Sequence, residues 1–308
     1  MLMQKKADGI GGNRLKKNDV RKMIVGYLFI LPMVINLVIF NAVPFVYSLY
    51  LAMTDATGLN EPNWVGLRNF ATMLKDEKFR ISLKVTFKFA FIQVPLKLCF
   101  ALMVAMLLSK KTKGIGIYRT AFYVPSVLGG SVAIAMTWKL LWGREGAVNG
   151  LLDSMGLETV NWLKNPDTAL YVLILLGIWQ FGASMLVFLA GLKDIPQSYY
   201  EAATIDGASA FDRFFKITLP LLTPSIFYNL VTGLIGSLQA FNSAYLVTAG
   251  GPVNSTMYYS LNVYQQAFEY SKFGYASALA WFMLIIIVLF TSLVFKSSSG
   301  WVYYSDEG

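Results

Sequence analysis

The sequence predicts an all-α polytopic membrane protein with six transmembrane helices. Of its 308 residues, 56% are hydrophobic and only 14% charged, with a mean hydropathy of +0.54, whereas soluble domains carry roughly 25% charged residues. The apolar residues gather into six runs, each near or above the roughly twenty residues a helix needs to cross a bilayer. The connections between runs alternate between basic and neutral, as they do when a chain is threaded repeatedly through a membrane.

The elements follow in order. Residues 1–22 hold seven Lys or Arg among Gly and Asn with no apolar periodicity, which predicts a basic arm. Met23 to Ala52 is far longer than the apolar core of a signal peptide and contains Pro32 and Pro44, so a retained, kinked first span is expected. Val85–Leu108, Thr120–Trp138, Thr168–Leu192, Leu221–Val247 and Tyr275–Phe295 are the remaining spans. Two long connections, 54–84 and 141–167, carry Gly, Pro, Asn and the tryptophans Trp64, Trp142 and Trp162, and read as short interfacial helices and loops. Together, residues 23–296 are expected to form one membrane domain, followed by a polar tail at 297–308.

Charge assigns the sides. The arm, the connection at Lys110–Arg119, the segment at 193–224 and the tail hold fifteen bases against eight acids. The other connections hold nine of each, and Lys88 and Lys97 of the second span complete the net charge of +9. Positive charge marks the cytoplasmic side, so both termini and the 193–224 segment are expected there. Topology and anionic lipid explain the basic excess, without nucleic acid. Lys88 and Lys97 are read as snorkelling or facing a partner helix.

Several chemistries are excluded. With no His and a single Cys, Cys99, the chain can form no internal disulfide and has no His-based metal or catalytic site. No Asp or Glu lies within a span, although ion-coupled carriers usually keep an ionisable group at membrane depth. The phosphate-cradling G-x-x-x-x-G-K-[ST] loop is also missing, so any nucleotide energy must come from another subunit. No catalytic residue is expected.

The polar segment Lys193–Pro224, between the fourth and fifth spans, stands out. It reads as two short helices joined by a glycine. Pro196 suits a first helical turn, Ser198 and Glu201 have capping-box spacing, and Gly207 is placed to end the helix in the left-handed region. Ser209 and Asp212 repeat the capping spacing. Phe211, Phe214 and Phe215 share one face while Asp212 and Lys216 pair at i,i+4, before Leu219 and Pro220 turn the chain back into apolar sequence. Such a knob is mechanical in character.

Candidate pathway residues lie in the two adjoining spans. Asn229, Thr232, Gly236, Gln239 and Ser243 recur on one helical face, with Asn242 and Tyr245 beside it, and Trp179, Gln180 and Phe181 place an amide between aromatics. Sugars present apolar ring faces edged by hydroxyls, which aromatic platforms and neutral amides fit. The same small and polar residues can instead pack helix on helix.

Glu201-Ala202-Ala203, Asp206-Gly207-Ala208, Ile217-Thr218-Leu219-Pro220 and Pro224 together resemble the EAA loop of ABC importer permeases, specifically the carbohydrate-uptake branch related to maltose and glycerol-phosphate permeases. The stretch beginning FILPMVINLVIF, the stretch YRTAFYVPSVLGGSVAIAMTWKLLW, and AFNSAYLVTAGGPVNST with YQQAFEYSKFGYASALA resemble other parts of that family, from about Met23 to Phe295. The resemblance implies a type I ABC importer permease fold in a bacterial-type plasma membrane. It also implies alternating-access import of a sugar, with an oligosaccharide expected. The implied partners are a second permease subunit, two ATP-binding cassette subunits holding ATP and Mg, and an extracytoplasmic solute-binding protein; this chain itself would bind no cofactor. Glu201 to Gly207 would seat in an ATPase subunit. A glycerol-phosphate-type permease, a self-sufficient secondary carrier and a non-transporting scaffold are the alternatives.

Overall fold

A computed structural model describes residues 17–58, 61–110 and 113–303, with side chains from residue 22. Most of the expected basic arm (1–16) and the end of the expected tail (304–308) lie outside the described residues. The chain divides into two compact units, Met1–Tyr50 and Leu51–Gly308. Apart from one antiparallel bridge between Thr54 and Trp64, the described residues contain no strand.

The first unit is helical: α1 (Lys17–Leu37), a π-helical turn (Val38–Ala42) and α2 (Val43–Ala52), whose last residues pass into the second unit. Pro44 cannot donate to the helix ladder and its ring crowds the carbonyl four residues back. The wider turn immediately before it accommodates this without ending the helix. The apolar side chains of this span are exposed along its length, as lipid or a protein neighbour would require.

The second unit runs α3 (Arg68–Lys75), α4 (Glu77–Ser109), α5 (Ile115–Leu128), α6 (Val132–Leu141), α7 (Ala147–Ser154), α8 (Ala169–Trp179), α9 (Gly182–Asp194), α10 (Gln197–Ile205), α11 (Ala210–Arg213), α12 (Leu219–Leu221), α13 (Thr223–Leu238), α14 (Tyr259–Tyr264) and α15 (Phe273–Ser298). The 33-residue α4, capped by Asp76 accepting from the Lys78 amide, is the post around which the rest is built. Helices α8, α9, α13 and α14 all pack on it. Phe89 meets Leu173 and Tyr258 in one apolar cluster. Val94, Leu98 and Ala101 meet Met185 and Phe188 in a second, and Phe79 and Ala90 meet Tyr259 and Leu279 in a third. Polar groups inside this contact are paired: the Ser237 hydroxyl donates to Gln93 Oε1 at 2.7 Å, joining α13 to α4.

Three spans expected to be continuous are bent. α5 and α6 meet at 98°, α8 and α9 at 43°, and the helical stretch Ala210–Leu221, from α11 through α12, meets α13 at 62°. With each bent pair counted as one crossing, the described residues contain six helical stretches long and apolar enough to span a membrane. The third starts at Ile115, ahead of the expected Thr120, and breaks at Gly129–Ser131. The fifth stops being α-helical at Leu238, short of the expected Val247, and resumes past Phe241 in a short turn with a π-helical stretch (Ala244–Thr248).

Candidate functional site

The segment after α9 forms an exposed ledge. α10 ends in a left-handed residue, Gly207, at φ 77°. The Gly207 amide donates to the Thr204 carbonyl and the Ala208 amide to the Ala203 carbonyl, at 3.1 and 2.9 Å, the two bonds of a Schellman cap. The Ser198–Glu201 capping box does not form. Pro196 occupies the N-cap with no side-chain hydrogen bond, because the extended backbone at Pro196 starts the helix at Gln197 and leaves Ser198 already inside it. Ser209 does cap the next helix, its Oγ accepting from the Asp212 amide at 3.1 Å and donating to Asp212 Oδ2 at 2.6 Å.

Asp212 and Lys216 pair at 2.7 Å. The Lys216 ammonium, with Ser209, holds the Asp212 carboxyl well below the usual carboxylate range, at about 2. Past Arg213 the helix widens into a π turn (Phe214–Thr218) and does not stop at Leu219–Pro220 as expected. It continues to Leu221 and bends there into the apolar α13. The Phe211 and Phe215 rings lie 4.4 Å apart, and Phe211 is 71% exposed. Tyr200 and Thr218 share a hydroxyl contact at 2.9 Å and Arg213 donates to Thr204 Oγ1 at 2.9 Å, so the two helices of the ledge are pinned to each other. Glu201, Ala202, Asp206 and Gly207 are exposed and Ala203 is half-buried. Ile205, beside them, is 87% exposed. A groove of 970 Å³ runs between Glu201, Lys193, Arg213 and the last residue of α4, Ser109.

The structure distributes the pathway candidates over two settings. Thr232 and Gln239 lie exposed with Gly236 along one face of α13, followed past the break by exposed Asn242 and Tyr245. The Tyr245 ring stacks on Phe241 at 5.1 Å and meets Tyr264 at 5.4 Å. Asn229 instead is buried against α9, its amide reaching the Ser184 carbonyl at 3.4 Å. Phe181 is buried, with its ring 4.7 Å from that of Phe100. Trp179 is half-buried beside Trp138 at 6.0 Å. Lys88 lies over the Tyr171 ring at 5.0 Å.

Gln180 sits where two bent spans face each other. Its side chain donates to the Gly129 carbonyl at 3.2 Å, across the break of the third span. Ser126 answers in the other direction, donating to the Gln180 carbonyl at 3.0 Å and accepting from the Ala183 amide at 3.1 Å. Breaking a helix in a membrane frees backbone groups that lipid cannot satisfy, and these side chains satisfy them reciprocally. Gly182 permits the approach, since a Cβ there would stand 2.7 Å from the Phe122 carbonyl oxygen. Sequence reasoning missed Ser126, although the Gly-Gly-Ser at 129–131 marks the break it serves. Asn149 is buried at 1% exposure, and its side chain bonds the carbonyls of Gly143, Arg144 and Val160, the Val160 amide and the Trp162 indole. No group of three His, Cys, Asp or Glu that could hold a metal ion occurs among the described residues.

Residues 97–302 match the family described as "Binding-protein-dependent transport system inner membrane component". The chain is 48% identical over 305 residues to a probable ABC transporter permease protein of Bacillus subtilis, YesP, covering 97% of this chain and 99% of that one. It is 34% identical to the trehalose/maltose transport system permease protein MalF of Thermococcus litoralis, covering 92% and 97%. Among solved structures it resembles a chain of a bacterial alginate ABC transporter in complex with alginate pentasaccharide-bound periplasmic protein, with a TM-score of 0.80, 22% identity and coverage of 91% and 96%.

Proposed function

The chain belongs to the family of binding-protein-dependent transport system inner membrane components, and from that premise we propose that it is the sugar-conducting permease subunit of an ATP-driven importer, acting on an oligosaccharide. It is a transport subunit and not an enzyme. Residues 23–296 form the permease domain and both termini are cytoplasmic. The ledge is the part that receives force. Glu201, Ala202, Ala203, Asp206 and Gly207 seat in an ATP-binding cassette subunit, which holds ATP and Mg. A second permease subunit completes the pathway, and a solute-binding protein docks on the opposite side.

The observation that carries this reading is the ledge itself. It is capped at Gly207, internally pinned through Tyr200–Thr218 and Arg213–Thr204, and exposed on the side that carries Glu201 and Ile205. A short, cross-braced element moves as a body when its exposed face is pushed. The sugar reading draws on the trehalose/maltose permease relative. It is supported by the exposed amides of Gln239 and Asn242 and the exposed Tyr245 ring in one short stretch of chain, which offer hydrogen-bonding groups and an apolar platform. In this reading Thr232, Gln239, Asn242 and Tyr245 wall the pathway, and Trp179, Gln180, Phe181 and Asn229 hold its frame.

The test is purification of the chain with its partners and reconstitution in vesicles with a labelled malto-oligosaccharide and the cognate binding protein. ATP-dependent uptake, and cross-linking of a Glu201→Cys variant to an ATPase subunit, are expected. Failure of any ATPase to copurify, together with uptake indifferent to ATP, would sink the proposal.

A further inference from the structure

At the end of α4 remote from the ledge, about 50 Å away by helical rise, a pocket of 630 Å³ opens between α3, the start of α4 and the start of α15. Its charges are unequally provided for. Asp76 is saturated, accepting from the Lys78 amide at 2.9 Å and the Tyr275 hydroxyl at 2.6 Å. Asp55 is likewise occupied by the backbone and side-chain amides of Asn63, at 2.7 and 3.2 Å. Lys78 Nζ bonds the Gln265 side chain at 2.8 Å. Arg68, Lys75 and Lys272, which also line the pocket, have no ion-pair partner among the described residues. Gln266, 6% exposed, lines it as well. Its side-chain N–H donates to Asn262 Oδ1 at 3.4 Å, while its Oε1 is buried with no donor. Three cations without an ion-pair partner among the described residues therefore converge on the pocket.

α3 adds a direction. Phe70 and Met73 face the core of the unit, and Arg68, Thr72 and Lys75 line the pocket at i, i+4 and i+7. The remaining side of the helix carries Leu67 and Leu74, 68% and 64% exposed, with Ala71 exposed between them. An exposed apolar strip running alongside a cationic pocket on one short helix is how a helix lying in a membrane interface is built. A water-soluble anion would have no use for the strip, whereas an amphiphile uses both.

We propose that this pocket is a binding site for an anionic phospholipid. Its phosphate is held by Arg68, Lys75 and Lys272, and an acyl chain lies along Leu67, Ala71 and Leu74. Phosphatidylglycerol carries the net negative charge this requires and phosphatidylcholine does not. The site lies outside the ledge and the pathway, so it does not depend on the transport reading.

The experiment uses the full chain in its purified complex, delipidated and exposed to vesicles of phosphatidylcholine with or without labelled phosphatidylglycerol, with retained lipid counted by native mass spectrometry. Wild type is expected to retain phosphatidylglycerol selectively. Arg68→Gln with Lys75→Gln should lower that affinity on the order of 30-fold, from the attraction lost with two cations near an anionic headgroup. The charge-conserving pair R68K and K75R should stay within a few fold of wild type and shows that loss is not misfolding. Leu67→Asn with Leu74→Asn should also weaken retention. Equal retention by the Gln pair, or equal loss in the charge-conserving pair, overturns the site. Displacement of the lipid by glycerol phosphate at matched concentration overturns the lipid assignment, because the pocket would then be reading a free anion.

Discussion

The sharpest test of the ledge is Gly207. Its φ of 77° is a region that L side chains enter only at a cost. A Cβ placed there would meet no heavy atom of this chain within 4 Å, so bulk within the chain is not what excludes a side chain. The effect of substitution on the ledge itself comes from the backbone, and any clash with the ATPase subunit would follow side-chain volume instead. Adopting the left-handed conformation costs an ordinary residue about 1–2 kcal/mol, with Asn below that range and a β-branched residue at or above its top. If the Schellman cap sets the angle between α10 and the helix from Ser209, the population holding that angle falls roughly 5- to 30-fold across this range. ATP-driven uptake by the reconstituted complex should fall in the order Gly, Asn, Ala, Val, while assembly with the ATPase subunits is retained. Asn is larger than Ala, so this order separates backbone strain from size. Wild-type uptake by Gly207→Val, or losses that follow side-chain volume, would refute the reasoning.

Ser126→Ala should remove the partner of both the Gln180 carbonyl and the Ala183 amide, costing about 1–3 kcal/mol. The expected sign is a lower thermal unfolding midpoint of the detergent-solubilised complex, which Ser126→Thr should largely restore. Asn149→Leu strands three carbonyls, an amide and an indole N–H, and on the order of 3 kcal/mol of local order should be lost. Limited proteolysis should then cut within residues 143–162 in the variant and not in wild type. Asp212 is held at about 2 against about 3.9 for a free carboxyl. Its folded-state value is depressed, so its contribution is complete above about pH 4 and is lost only as pH falls through about 2. Carboxyl-labelled NMR of the complex should show no titration of Asp212 between neutral pH and pH 5. Lys216→Gln should raise its midpoint toward the ordinary range, and a midpoint unmoved by K216Q would contradict the assigned cause.

The number, order and approximate ends of the spans could be read from hydropathy because each needs only a run of apolar residues, which is a local property. The bends could not. Gly129-Gly130-Ser131 is a visible breaker sequence with an N-cap, since Ser131 Oγ does accept from the Ile134 amide, yet Gly is common inside membrane helices. What makes a break tolerable there is a partner for the freed backbone groups. For this span the partner is Gln180, 51 residues away, and for the fourth span it is Ser126, 54 residues away from Gln180. Pairings at that separation leave no periodicity in the chain. The same non-locality splits the polar face of the fifth span. Asn229 sits at its margin, close enough to α9 to turn inward, while Thr232 and Gln239 stay outside.

Glu201 shows how a local pattern can suggest the wrong partner. Ser198 and Glu201 have the spacing of a capping box, and by spacing alone the carboxylate belongs to its own helix. Pro196 decides otherwise. By holding the backbone extended it starts the helix at Gln197, so Ser198 cannot be the cap and Glu201 lies beyond the N3 position from which a capping-box acid reaches back. Its side chain makes no hydrogen bond or ion pair among the described residues, and it stands exposed beside a groove whose other rim carries Lys193 and Arg213. An acid that stabilises its own helix would be replaceable by any residue with good helix propensity. One left free, on an element whose every other polar contact serves to brace it, is available to a partner. Glu201→Gln should therefore leave the unfolding midpoint of the isolated chain unchanged within about 0.5 kcal/mol while weakening capture of the ATPase subunit. A loss of stability equal to the loss of capture would return Glu201 to its own helix.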